Sequence, residues 1–237
     1  MLTALGDLVA PRHCLVCGRD LKMNERHICI FCDADMPFTR YAGQEHNPMA
    51  DAFNAVIERH MAPEDAHMPY SRAASLFFYN SETGYKYIPQ ALKYHGDFRA
   101  GRHFAALLGR ELSESELFND VDVVIPVPLH WTRRLRRGYN QAGVIGRAVA
   151  EELGCPCRED ILRRTRRTRT QTALGVKEKA ANVSAAFALR DCQDEFRHIL
   201  VVDDVFTTGA TLGECQAVLR RGFPSARISV ATLSSVV

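Results

Sequence analysis

The sequence predicts an α/β protein in which a parallel sheet is flanked by helices and preceded by a small metal-binding module. Three observations predict it. From Ser71 onward, apolar strand-like runs alternate with helical segments, which implies a parallel sheet covered on both faces. Four of the eight cysteines fall within the first forty residues. One apolar run, Ile-Leu-Val-Val at 199–202, ends in two adjacent aspartates and a Thr-Thr-Gly-Ala-Thr turn. A strand that only had to pack would end in ordinary turn residues.

Taken in order, residues 1–40 form the module. CLVCG at 14–18 and CIFC at 29–32 make two C-x2-C knuckles separated by eleven residues. Cys14, Cys17, Cys29 and Cys32 can surround a tetrahedral Zn2+, which imposes no geometry of its own. A segment this short and this poor in apolar residues could hardly fold without a metal. An iron site and free thiols are the competing readings. Residues 41–70, mixing prolines and histidines with a short helical patch, read as a connector to a larger domain at 71–237.

In that domain RAASLFFY (72–79) reads as a strand, and SETGYKYIPQALKYHGD (81–97) as a turn into a helix that stops at Gly96. RAGRHFAALLGREL (99–112) has apolar residues at helical spacing. VDVVIPVP (121–128) is a buried strand broken by Pro126 and Pro128. NQAGVIGRAVAEELG (140–154) is an amphipathic helix with Gly154 at its C-terminal cap. FRHILVVDD (196–204) is a strand, ATLGECQAVLRRG (210–222) a helix and RISVATL (227–233) a last strand.

The totals describe an ordinary folded protein of 237 residues with 46% hydrophobic and 24% charged content. No apolar stretch approaches the roughly 18 to 20 residues that cross a bilayer, so no membrane insertion is expected. The first residues lack a basic region and a long apolar run, and the expected location is cytoplasmic. Cysteines in such a compartment point to metal or core thiols rather than disulfides. Cys155, Cys157, Cys192 and Cys215 read as incidental or core residues.

Charge is uneven. Residues 129–169 hold 11 Arg or Lys against 4 Asp or Glu, a net +7, and leave the remainder at −5. A basic stretch on a mildly acidic body points to an anionic partner, either a phosphorylated small ligand or nucleic acid. Its arginines form two clusters: Arg133, Arg134, Arg136 and Arg137, then Arg166, Arg167 and Arg169.

In an open α/β sheet, ligands bind beyond the carboxyl ends of the strands. Asp203 and Asp204 stand at such an end. The small residues that follow let backbone N–H groups converge at a helix N-terminus, which suits a phosphate. The hydroxyls of Thr207, Thr208 and Thr211 add donors. Two carboxylates beside a phosphate cradle should face something neutral or cationic, such as a ribose diol or Mg2+. An aspartate pair before a turn can also simply cap a helix. No G-x4-G-K-[ST] phosphate loop is present.

ILVVDDVFTTGAT (199–211) closely resembles the phosphoribosyl pyrophosphate (PRPP) signature of type I phosphoribosyltransferases. PVPLHWTRRLRRGYNQA (126–142), TRTQTAL (168–174), KAANVSAAF (179–187) and the four-cysteine start resemble, in that order, the ComF/GntX competence-protein family. The resemblance spans essentially the whole chain. It implies a type I phosphoribosyltransferase fold with a flexible hood and an N-terminal zinc ribbon. It implies that Asp203 and Asp204 hold the ribose hydroxyls of PRPP, with Mg2+ accompanying the ligand. Val205, Thr207, Thr208, Gly209, Ala210 and Thr211 would hold the 5-phosphate. The segment after Pro128 would be the pyrophosphate loop, supported by Arg137, and Arg163 to Phe187 the hood. Phe206 and Lys179 depart from the family pattern, the first replacing an aliphatic residue and the second an arginine.

Two functions follow from that resemblance. One is phosphoribosyl transfer to a nitrogen acceptor with loss of pyrophosphate, through an oxocarbenium-like transition state. No general base stands out, and no catalytic residue is assigned. The other is single-stranded-DNA binding in DNA uptake and natural transformation, alongside proteins of the uptake machinery, with the PRPP site a structural or regulatory relic. Arg133, Arg134, Arg136, Arg166, Arg167 and Arg169 are the DNA-contact candidates, with Trp131 and Tyr139 available for stacking.

Overall fold

A computed structural model describes residues 12–59, 69–129, 138–165 and 186–237. The pyrophosphate-loop candidate Arg137 and the DNA-contact candidates Trp131, Arg133, Arg134 and Arg136 lie outside the described residues. So do Arg166, Arg167, Arg169, Gln171, Lys179 and Asn182 of the hood segment.

The apolar runs of the sequence become a four-stranded parallel sheet. Its strands are β1 (Ala73–Phe78), β2 (Val123–Pro126), β5 (His198–Phe206) and β6 (Arg227–Ser235), in the order β1-β6-β5-β2. β5 and β6 are interior, and Ile199 to Val202 are wholly buried. That explains why this run is continuously apolar instead of alternating. β2 lies at an edge, where a proline costs no ladder bond. On its outer side the Val124 amide donates to Pro156 O at 2.9 Å, so the chain near Cys157 covers that edge.

Helices α4 (Phe98–Ser113) and α5 (Gln141–Leu153) pack on each other and against the sheet. α2 (Pro48–Glu58) and α6 (Ala210–Gly222) form a second helical layer. Each start has a local cause. Asn47 caps α2 by accepting the Ala50 N–H at 2.9 Å, with Pro48 in the first turn, and Asp97 caps α4 by accepting the Ala100 N–H at 2.9 Å. α3 (Tyr87–His95) and α5 end on Gly96 and Gly154, both left-handed as their C-cap positions require.

In four places the structure departs from the expected elements or adds to them. α5 is amphipathic, as expected, but its buried face is wide: Gln141 to Gly146 and Ala148 to Ala150 are buried, while Arg147 and Glu151 are exposed. α4 covers the side that would otherwise face solvent, and Gly146 lets the helix approach Pro126 and Cys157. Asn140 stands at the N-cap of α5 but does not cap it; its amide donates to Val127 O at 3.1 Å, which holds the end of β2. The strand expected to end at Asp204 continues to Phe206, pairing Asp203 with Thr232 and Phe206 with Ser235. Finally, the two ends of the hood segment pair as short antiparallel strands, β3 (Leu162–Arg164) and β4 (Phe187–Leu189).

The cysteine module rests on this body. The Tyr85 hydroxyl donates to Cys32 O at 2.9 Å. Gly84 lies so close that an added Cβ would fall 2.0 Å from Val16 O, so the docking requires glycine there. In α2, a helix of the residues expected to connect the two, Met49, Ala50 and Phe53 are fully buried. No described helix is long and apolar enough to cross a membrane.

Candidate functional site

The carboxyl end of β5 brings the signature residues together. Asp203, Asp204 and Val205 are half-buried just before its buried last residue, Phe206; Thr207 and Thr208 are exposed in the turn, and Gly209 is buried. Ala210 and Thr211 begin α6. Gly209 has φ +74 and ψ −4, and its carbonyl accepts the Gly213 N–H at 2.8 Å, the first bond of the helix. The Ala210 N–H donates to Thr208 Oγ1 at 3.5 Å, and the N–H groups of the first turn lie at the helix end that directly follows the threonines. Phe206, the departure from the family pattern, turns inward, its ring 6.5 Å from that of Phe53.

The two aspartates are not equivalent. Asp203 accepts the Asp204 N–H at 2.9 Å. Burial, and next the adjacent Asp204 carboxylate, push Asp203 up to about 7, against the pull of Lys93 and Arg164. The Lys93 ammonium of α3 stands 3.7 Å from Asp204 Oδ2. Sequence reasoning missed both cations. Lys93 is an ordinary helical lysine three residues before Gly96, and only the fold turns it toward β5. Arg164 looked like part of a basic run, but β3 places it under Phe187, whose ring lies 5.1 Å from the guanidinium.

This arrangement sets a pH dependence. A carboxyl whose folded pKa is raised contributes stability below its unfolded value of 3.8 and loses it as pH rises through about 7. Asp203→Asn should therefore gain melting temperature relative to the parent as pH rises from about 4 to about 7, and hold that gain above it. Thermal denaturation across that range checks it, and a constant difference would show that the fold does not raise the Asp203 carboxyl.

In the cysteine module all four predicted thiolates converge: Cys14, Cys17, Cys29 and Cys32 have their sulfurs within 4.8 Å of one another. A tetrahedral ion with metal–sulfur bonds of about 2.3 Å would hold its ligands about 3.8 Å apart. Cys17 Sγ and Cys29 Sγ lie 3.7 Å apart. The Cys29 N–H donates to Cys14 Sγ at 3.3 Å. Burial alone would raise the Cys14 thiol, but N–H groups of Cys17, Cys29 and Val16 outweigh it and hold the group at about 7. Gly18, at φ +73, makes the tight turn after the first knuckle. The donor set fits a thiophilic metal ion. The remaining cysteines differ: Cys215 is buried, and burial pushes Cys155 and Cys157 up to about 11, which leaves them unreactive.

A parallel sheet with paired carboxylates and a hydroxyl-rich turn at its carboxyl edge, joined to a four-cysteine cluster, defines the class. It is an α/β protein of the type I phosphoribosyltransferase fold with an N-terminal four-cysteine module. The chain is 35% identical over 137 residues to competence protein F of Haemophilus influenzae, covering 56% of this chain and 60% of that protein. It is 35% identical over 108 residues to DNA utilization protein YhgH of Escherichia coli, covering 45% and 47%. Across 224 residues it is 25% identical to competence protein ComFC of Streptococcus pneumoniae, covering 87% of this chain and 92% of that one. The chain is thus similar to competence proteins of the ComF kind, in one case across most of its length. The matches to competence protein F and YhgH span about half the length of those relatives. No protein-family model matches the chain.

Proposed function

We propose that the protein binds PRPP with Mg2+ at the carboxyl end of β5 and acts in DNA uptake and utilization in the cytoplasm. The observation that carries the ligand is the sequence Asp203, Asp204, turn, helix N-terminus, all on one sheet edge. A carboxylate accepting a ribose hydroxyl makes a charge-assisted bond, roughly twice as strong as a neutral one. The turn amides and threonine hydroxyls would take the 5-phosphate. Mg2+ would neutralise the pyrophosphate, and Lys93, 3.7 Å from Asp204, would add a positive charge beside it. Zn2+ is the metal we assign to the four cysteines, in a structural role.

Two readings of the activity share this site. In the first, the protein transfers the phosphoribosyl group to a nitrogen acceptor, with pyrophosphate leaving from the anomeric carbon under a closed hood. In the second, it is a single-stranded-DNA-binding protein that keeps PRPP as a structural or regulatory ligand. The printed names of the relatives, which speak of competence and DNA utilization, favour the second.

Calorimetric titration with PRPP and Mg2+ tests the common ground. Asp203→Asn and Asp204→Asn should each weaken binding by about 1 to 3 kcal/mol, or roughly ten- to a hundredfold. Equal affinity in all three proteins would reduce the aspartates to a helix cap. Pyrophosphate release with a panel of nucleobases then separates transfer from mere binding.

A further inference from the structure

Where the cysteine module meets α4 and α5, the surface forms a cleft of about 920 Å3, far from the β5 turn in sequence and belonging to none of the signature residues. Arg12, Arg26 and His27 line it from the module, and Arg99, Arg102 and His103 from α4. We propose that this cleft is a second phosphate site, built for a nucleotide unit, whether free or part of a strand. The proposal rests on the nucleic-acid side of the function proposed above but uses residues that function does not.

Charge is the first argument. Three carboxylates also line the cleft, Asp97, Glu151 and Glu152, but each is already engaged. Asp97 caps α4, Glu151 lies 3.3 Å from Arg102, and Glu152 lies 3.6 Å from Arg110. Arg26 and Arg99 are exposed, and neither is held in an ion pair among the described residues. The Arg102–Glu151 pair is itself exposed and weak, so Arg102 can turn to a better anion. Arg12 is oriented by donating to Glu25 O at 2.7 Å and Lys22 O at 3.2 Å. Guanidinium groups match phosphate oxygens in pairs, which a lysine-lined cleft would not do.

Shape is the second argument. The His27 and His103 rings lie 5.1 Å apart at 41°, with Phe104 behind His103 at 5.1 Å. Half-buried flat rings beside arginines offer a base a face to stack on while its phosphate reaches the guanidinium groups. An acidic peptide would leave that face unused. The cleft also exists only while the module is docked, which ties the metal cluster to ligand binding.

The experiment uses the full chain and two probes, a fluorescent deoxythymidine oligonucleotide and a fluorescent adenosine triphosphate, in anisotropy titrations. Arg26→Glu with Arg99→Glu should weaken oligonucleotide binding at least tenfold and lower its salt slope by about 1.4, for two lost single-strand phosphate contacts. Metal content and PRPP affinity should stay at parental values, which separates loss of the cleft from loss of the fold. Loss of both probes assigns the cleft to single nucleotides, and loss of the oligonucleotide alone assigns it to a strand. Parental affinity in the double variant overturns the cleft and leaves DNA binding standing elsewhere. A parent that binds neither probe, or polyglutamate competing as well as the oligonucleotide, overturns it too.

Discussion

Replacing Cys14 with serine will release the metal and unfold residues 12–35, leaving the parallel sheet in place. The module buries few apolar side chains, chiefly Leu21, Ile28 and Met36, while Met23, Ile30 and Phe31 stand exposed. Too little area leaves water to offset the loss of chain entropy. The four thiolates take the place of that core. Structural zinc in isolated fingers supplies apparent binding energies of about 10 to 16 kcal/mol at neutral pH. Losing one ligand of four, the one that accepts the Cys29 N–H, should remove most of that and bring metal content from one per chain to near zero. Trypsin should then cut at Arg19, Lys22 and Arg26, which the folded module protects by its shape. Cys192→Ser, outside the cluster, should do none of this. A Cys14→Ser protein with full metal content would mean that another donor completes the shell.

What the sequence made legible was whatever local chemistry determines. Strands β2 and β5 were readable because burial on both faces leaves an unbroken apolar run, and β1 and β6 because only small buried hydroxyl residues such as Ser75, Ser229 and Thr232 interrupt theirs. Gly96 and Gly154 marked helix ends because a left-handed cap favours glycine. The cysteines were readable because ligand spacing survives any fold. β3 and β4 were not, because three residues are too few to show a period and their pairing depends on contacts 23 to 27 positions away. The same holds for Lys93. Nothing in its neighbourhood distinguishes it from Lys86, and its place 3.7 Å from Asp204 is a product of how α3 packs. The role of Asn140 was hidden for a related reason: asparagine before a helix usually caps it, and only the nearby end of β2 offers its amide a better acceptor. The polar residues of the candidate site were thus legible where they lie together in the chain, and hidden where the fold assembles them.

Gly209→Val should abolish PRPP binding and cost more stability than either aspartate change. The backbone at Gly209 has φ +74, a region that disfavours side chains by roughly 1 to 2 kcal/mol and β-branched ones most. Space is lacking as well. An added Cβ would fall 3.0 Å from Phe206 Cζ, with Phe53 Cδ2 at 3.6 Å. Phe206 and Phe53 are both buried, so neither ring can yield without opening the core between β5, α2 and α6. Overpacking of this kind costs about 1 to 3 kcal/mol more. The chain can relieve the strain only by moving the turn, and that shifts the amides and hydroxyls of Thr207, Thr208 and Thr211 away from a common point. A phosphate held by several convergent donors loses them together, so affinity should fall by more than about a hundredfold, equivalent to at least about 2.7 kcal/mol. Gly209→Ala, which keeps the φ penalty but carries only one added carbon, should fall between. Thermal melting and calorimetry on the three proteins read the two effects separately. Valine and alanine variants that melt early yet bind PRPP like the parent would show that the turn shapes the fold without forming the phosphate cradle.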